Sequence, residues 1–236
     1  MLPALLVYAL LFVLPALSGL LLSFFNVKSF KLSTITFAGL ENYATVLRNP
    51  YFSIAIKNTL LFAAVTTLGK VIFGMALALL VNQRFHGVNY MRTVFFLPAV
   101  LNNVAVGLVF RSMMHPSGLI NQTLSAMGLD MLMHNWLTDA KIAIFSCAFV
   151  EIWKWTGYTM VIFLAGLQSI DKTYYEAAGI DGATIWQQIR YITLPLMKTV
   201  IIMMFIMAVG RIFYSDFGLF YQVPRDSNTL YNYVYT

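Results

Sequence analysis

Twenty-four consecutive residues, Leu2 to Phe25, pass without a single charged side chain. A run this long is more than a soluble core absorbs in one helix, whereas a bilayer core about 30 Å thick takes about 20 apolar residues as a helix. Four further runs have the same character: Asn58 to Val81 with Lys70 near its middle, Thr93 to Phe110 and a turn beyond, Ile142 to Gln168 holding Glu151 and Lys154, and the stretch after Pro195 to Tyr214 holding Arg211. The runs are continuous and rich in Leu, Ala, Phe, Met and Val. They do not alternate as barrel strands do, and only a helix satisfies its backbone in lipid over such a length. Composition agrees, with 60% hydrophobic and 10% charged residues. The expectation is an all-α polytopic membrane protein with at least five transmembrane helices. The first run is longer than the apolar core of a secretory signal and no basic segment precedes it, so it reads as a span.

Several chemistries find no residues to carry them. Cys147 is the one cysteine, which excludes an intrachain disulfide and spells no Cys/His metal site. Gly69 and Lys70 are followed by Val71, and no glycine stands five residues before Gly69, so no phosphate-cradling loop is present. No metal, no nucleic acid and no ATP hydrolysis by this chain itself are expected.

The net charge of +6 does not orient the chain. If the connections after the second and fourth runs are cytoplasmic, that side holds Arg84, Arg92, Lys172, Arg190 and Lys198. The opposite side then holds Lys28, Lys31, Arg48, Lys57, Arg111, Lys141 and Arg225, against the positive-inside tendency.

Two connections are long. Asn26 to Lys57 carries turn signals at Gly39, Asn49 and Pro50, and His115 to Ala140 carries Pro116, Gly118, Gly128 and Trp136; both read as ordered, exposed segments. Asn121, Gln122 and Thr123 match a glycosylation sequon by pattern alone. RTVFFLP, from Arg92, and RYITLP, from Arg190, share an Arg followed by a Leu-Pro step, and each proline reads as lying near a helix start, where it loses no hydrogen bond.

The stretch EAAGIDGATIWQQIRYITLP, Glu176 to Pro195, is half polar and lies between two very apolar runs. Asp171 is a plausible N-cap for a short helix from Lys172 to Ile180, whose Ala177 and Ala178 allow a partner to approach closely. Gly182 ends it. Thr184 with Gln187 three residues on forms a capping-box pattern, and Ile185, Ile189 and Ile192 recur at helical spacing, so a second helix is expected to lead into Pro195. On shape alone this is an amphipathic connector at the membrane surface.

The spacing is more specific than the shape. Glu176, Ala177 and Ala178, then Gly182, Ile192, Leu194 and Pro195 match without a gap the EAA loop of the inner-membrane permeases of binding-protein-dependent ABC importers. The resemblance extends over nearly the whole chain, to the carbohydrate branch in particular, through GLENY at Gly39 to Tyr43, NPYF before NTLLF, RTVFFLP, the Gly118 to Asn121 segment and MVIFLAGLQSI before the loop. One departure is Asp171, where many relatives carry proline.

The resemblance implies a single permease domain over residues 1–236, of the type I importer fold, with a sixth span beyond the end of this chain and a cytoplasmic coupling loop at 169–195. It implies that Glu176, Ala177, Ala178, Asp181, Gly182 and Pro195 belong to an element that docks on a separate ATPase. ATP and magnesium would be bound by that ATPase and no cofactor by this chain. The implied partners are a second homologous permease, two ATPase subunits, an extracytoplasmic solute-binding protein and the lipid of a bacterial cytoplasmic membrane. The final stretch, DFGLFYQVPRDSNTLYNYVYT, resembles the segment before the last span in permeases for larger oligosaccharides.

Glu151 and Lys154 stand three residues apart, on one helix face where they are able to pair. They read either as a polar lining of the solute path or as a packing ion pair, and the same choice applies to Lys70 and Arg211. Trp153, Trp155 and Tyr158 surround the pair, offering faces for a sugar ring as well as ordinary packing surface. Lys154, Arg211 and Arg225 would suit an acidic sugar. Other readings remain open at this stage: an importer of a polyol phosphate, amino acid or peptide, a secondary transporter relaying ions through Glu151, or a membrane scaffold.

Overall fold

The structure, a computed structural model, describes residues 2–27, 35–83, 86–139 and 142–212, with side chains to 208. Lys28, Lys31, Arg84, Lys141, Arg225, the side chain of Arg211 and the whole terminal stretch from 213 therefore lie outside the described residues. The chain forms two compact units, 1–54 and 55–236.

In the first unit, helix α1 covers Leu2–Leu22 and is exposed around its whole circumference. An apolar helix with no buried face needs lipid or another apolar surface as its environment. Its Ala9–Val13 segment is a π-turn placed just ahead of Pro15. A proline has no N–H to donate and its ring crowds the carbonyl four residues back, and widening the preceding turn relieves that crowding. A short antiparallel hairpin follows, β1 (Phe25–Val27) paired with β2 (Ile35–Phe37), Asn26 opposite Thr36. Helix α2 (Glu41–Arg48) docks beneath it: the Asn42 amide donates to the carbonyls of Ser23 at 2.9 Å and Phe25 at 3.0 Å. The hairpin is a small exception to the all-helical expectation.

Helix α3 runs from Pro50 to Val81, 32 residues, and starts eight residues earlier than the apolar run beginning at Asn58 indicated. The reason is local: Pro50 occupies the first turn, where its missing N–H costs nothing, and Asn49 Oδ1 accepts the Tyr51 N–H at 3.0 Å. At about 1.5 Å per residue the helix is longer than the bilayer core is thick, so one end stands in the interfacial layer.

The second unit is organised around helix α7, Ala143–Gln168, 26 residues long with 15 of them buried. Helix α4 (Val88–Val100) crosses it so closely that a Cβ on Gly157 would stand 2.6 Å from the Phe95 carbonyl carbon and 2.9 Å from Phe96 Cα. Helix α3 approaches the same helix at Gly74, where a Cβ would lie 2.6 Å from Thr159 Cγ2. Small residues at helix crossings are what membrane bundles use where lipid supplies no hydrophobic drive.

The third expected span is not one helix. It divides into α4 and α5 (Asn103–Met113), which meet at 93°. Pro98 deletes the hydrogen bond to Val94, Leu101 is extended, and Asn102 caps the new helix by accepting the N–H groups of Val104 at 2.8 Å and Ala105 at 3.4 Å. The fifth expected span, after Pro195, begins as α10 at Lys198 and meets the loop helix before it, α9 (Ile185–Leu196), at a 61° bend, where the sequence placed their junction. Pro98 thus stands inside α4, two residues before its end, rather than near a helix start, which corrects the reading of RTVFFLP, whereas Pro195 stands three residues before α10 begins. Tyr214 lies outside the described residues.

Among the described residues, α1 and α3 are long and apolar enough to cross a membrane, and each bent pair adds one more if it is a single span. The fourth expected span, α7, has the length but not the apolarity, because it buries Glu151, Lys154 and several hydroxyls against protein rather than lipid.

The connection from His115 holds a short helix, α6 (Leu119–Ala126), and one 3-10 turn at Asp130–Leu132. Asn121 is 4% exposed; its amide donates to the carbonyls of Pro116 and His134, and its oxygen accepts Trp136 Nε1 at 2.8 Å. The sequon is therefore a structural node whose amide nitrogen is already spent on two carbonyls.

Candidate functional site

Two places gather the residues that carry chemistry. The first is the loop between α7 and α10. Helix α8 spans Lys172–Ile180, the bounds its sequence implied, because Asp171 caps it by accepting the Thr173 N–H at 3.0 Å. That hydrogen bond, from the Thr173 backbone and then its side chain, holds the Asp171 carboxyl below the ordinary carboxylate range, so the cap stays charged at neutral pH. Gly182 closes the helix at φ 74, a conformation that side-chain-bearing residues rarely adopt. Thr184 then opens α9 with both halves of a capping box, Gln187 Oε1 accepting the Thr184 N–H at 2.7 Å and Thr184 Oγ1 accepting the Gln187 N–H at 3.4 Å.

The surface of this loop is unusual for its apolarity. Helix α8 buries no residue; Glu176, Ala177, Asp181 and Gly182 are exposed and Ala178 is half-buried. Ile180 is 89% exposed, and Ile185 and Trp186 stand nearby at 72% and 69%. Glu176 has no hydrogen-bond or ion-pair partner among the described residues. A short rigid helix carrying an unpaired carboxylate amid exposed apolar groups has the make-up of a protein-docking element. Pro195 lies in α9 behind a π-turn at Ile189–Thr193, repeating the arrangement before Pro15.

The second place is a buried polar belt on α7. Glu151 pairs with Lys70 of α3 at 3.1 Å, so the Glu151–Lys154 pairing allowed by their spacing is replaced by one across two helices. Lys154, 1% exposed, reaches instead to the helix break, its Nζ donating to the Leu101 carbonyl at 2.9 Å and lying 5.3 Å from the centre of the Trp155 ring. The carbonyl orphaned where α4 ends thus gains a charged donor.

Trp155 and Tyr158 meet edge to face with ring centres 5.9 Å apart, and with Lys70, Thr67 and Met204 they line a small cavity of about 30 Å³ facing α10. Trp153 does not join them; it is 39% exposed and packs edge-on against Phe110 at 5.2 Å. The structure thus groups Glu151, Lys154, Trp155 and Tyr158 with Lys70, separates Trp153, and leaves the Arg211 side chain outside the described residues. Leu101 and Thr67 carried no sequence signal for this belt, since one enters through its backbone and the other is an ordinary span residue.

Residues 70–215 match the family model described as binding-protein-dependent transport system inner membrane component, and they include both the belt and the loop. The chain belongs to this family.

Among curated members, the lactose transport system permease LacF of Rhizobium radiobacter is 34% identical over 203 residues, 85% of this chain and 66% of that protein. The arabinooligosaccharides transport system permease AraP of Halalkalibacterium halodurans is 34% identical over 241 residues, covering 99% of this chain and 74% of its own length. The chain spans between 55% and 67% of the length of three similar permeases, LacF, YurN of Bacillus subtilis and a probable one from Pyrococcus horikoshii. A crystal structure of a bacterial ABC transporter involved in import of the acidic polysaccharide alginate contains a chain that superposes with TM-score 0.85 at 27% identity, over 100% of this chain and 81% of that one. The same kind of transporter bound to an alginate pentasaccharide-bound periplasmic protein superposes with TM-score 0.84 at 26% identity. Family membership and the apolar helices make this chain a multi-pass inner-membrane protein, and the relatives it matches include permeases for sugars.

Proposed function

We propose that this chain is one permease subunit of an ATP-driven importer that moves an oligosaccharide across the cytoplasmic membrane by alternating access. The observation that carries this reading is α8: a capped, exposed helix with an unpaired Glu176, held between two membrane helices and bearing the spacing of a docking loop. Closure of two ATPase subunits on such an element moves α7 and α10 as rigid bodies, which is the lever that alternating access requires. ATP and magnesium belong to those separate subunits; a second, homologous permease completes the pore and a solute-binding protein delivers cargo from outside. Residues 169–195 are the coupling loop of a single permease domain.

The belt on α7 is the proposed cargo path. Tyr158 and Trp155 offer rings to a sugar, while Glu151, Lys70 and Lys154 offer charged donors and acceptors at the same level. Two lysines to one carboxylate favour an acidic oligosaccharide, in line with the cargo of the alginate importer whose chain this one resembles.

The test is co-purification from membranes in mild detergent. Wild-type chain is expected to bring down a second permease and an ATPase, and Glu176→Lys is expected to lose the ATPase selectively while the permease pair survives. Recovery of this chain alone in both samples would favour ion-coupled transport through Glu151. Tyr158→Ala is expected to lower uptake of an acidic oligosaccharide about tenfold, the scale of one lost stacking contact, with the ATPase still bound. Unchanged uptake would assign Tyr158 to packing.

A further inference from the structure

We infer that Tyr175 is a positioning residue that passes movement of α8 straight to α10 through one hydrogen bond. The inference rests on the transport reading above and adds a route to it. Tyr175 immediately precedes Glu176, and its hydroxyl lies 3.0 Å from Thr193 Oγ1. Thr193 is 2% exposed and is the last residue of the π-turn in α9. Its own hydroxyl points to the Gln188 carbonyl at 3.4 Å, which leaves Tyr175 as the donor of the longer-range bond.

Thr193 leads directly into the membrane helix. Its carbonyl accepts the N–H of Met197, the residue at the 61° bend, at 2.9 Å, and the Met197 carbonyl in turn accepts the Ile201 N–H of α10 at 2.9 Å. Met197 is 1% exposed and fills the gap beside Gly166 near the end of α7, where a Cβ would lie 2.9 Å from Met197 Cε. The joint between α7 and α10 is therefore closely packed, and Tyr175 ties the docking helix to it.

The covalent route is much softer. From Tyr175 to Thr193 the chain runs 18 residues, through the left-handed Gly182 and the turn after it. Hydrogen bonds in that turn, Ala183 N–H to Ala178 O at 2.9 Å and Gln188 Nε2 to Ala183 O at 3.2 Å, shape the turn without reaching α10. A push on α8 relayed only through the turn would be absorbed by bending there. With the hydroxyl in place, α8 and the π-turn move together.

The test uses the assembled transporter with its partner permease and ATPases, and needs no cargo. Spin labels at Leu68→Cys on α3 and Ile206→Cys on α10, in a Cys147→Ser background, report the separation of the two helices with and without ATP, hydrolysis being blocked by removing magnesium. Tyr175→Phe and Thr193→Val are each expected to shrink the population shifted by ATP by roughly threefold or more, the scale of one hydrogen bond. The double variant is expected to be no worse than either single, and Thr193→Ser to behave as wild type. ATPase co-purification and ATP binding are expected to persist in all of them, a result that a general loss of folding would not give. An unchanged ATP response in Tyr175→Phe, or additive losses in the double variant, would overturn the inference while leaving the transport reading intact. A wild-type complex that lacks the ATPase or shows no ATP-driven shift would overturn the transport reading, and this link with it.

Discussion

Gly157→Val is expected to abolish the folded bundle, with the purified protein appearing only as aggregate in detergent. The site admits no side chain, because the Phe95 carbonyl of α4 occupies the place of a Cβ. Where a new methyl meets the tip of a flexible side chain, the neighbour turns aside; here it meets backbone that is itself hydrogen-bonded in a helix, so two helices must separate. Overpacking usually costs about 1–3 kcal/mol, and a clash with fixed backbone lies at or beyond the top of that range. Opening the α4–α7 crossing would also withdraw Leu101 from Lys154, leaving a buried ammonium without this acceptor. Gly19→Val is the control, since nothing lies within 4 Å of the Cβ it would add. Size-exclusion profiles and thermal unfolding in the same detergent compare the two; a monodisperse Gly157→Val of normal stability would show that the crossing is looser than described.

Lys70→Met is expected to cost about 3–5 kcal/mol of stability, because it strands Glu151 in the bundle without its partner. The two side chains are 14% and 12% exposed, so little water is available to replace the lost contact. The companion variant, Lys70→Met with Glu151→Gln, removes both charges and is expected to recover most of the loss. Unfolding midpoints in detergent measure both. Equal destabilisation of the single and double variants would mean that the pair contributes little and that packing around Lys70 dominates.

These results bear on how the belt is built. Among the described residues of the belt, Lys70 and Glu151 pair with each other, and Lys154 meets a backbone carbonyl released by the α4–α5 break. The break and the lysine support one another. A carbonyl without an intrahelical donor is costly inside a membrane protein, and so is an ammonium without an acceptor. Placing one against the other lets the chain keep irregular backbone beside the proposed cargo path.

What the sequence determined by itself is local or compositional. Five apolar runs announced a helical membrane protein, and the bounds of α8, its Asp171 cap, the Gly182 turn and the Thr184–Gln187 capping box were legible because each depends on residues within a few positions of one another. The loop proposed to dock on the ATPase could be picked out for the same reason, since its spacing lies within one short stretch. Tertiary structure decided which groups meet across the fold: Glu151 with Lys70 at 81 residues' separation, Lys154 with Leu101 at 53, Tyr175 with Thr193 at 18. The spacing of Glu151 and Lys154 permitted a pair, but a neighbouring helix offered each a partner in better reach. The break between α4 and α5 was also beyond local reading, whereas the one after Pro195 falls where the loop helix was expected to meet the last apolar run. A proline near a break and a proline near a start look alike in sequence, and the difference lies in whether α7 packs closely enough to hold the bent backbone and satisfy the carbonyl it frees.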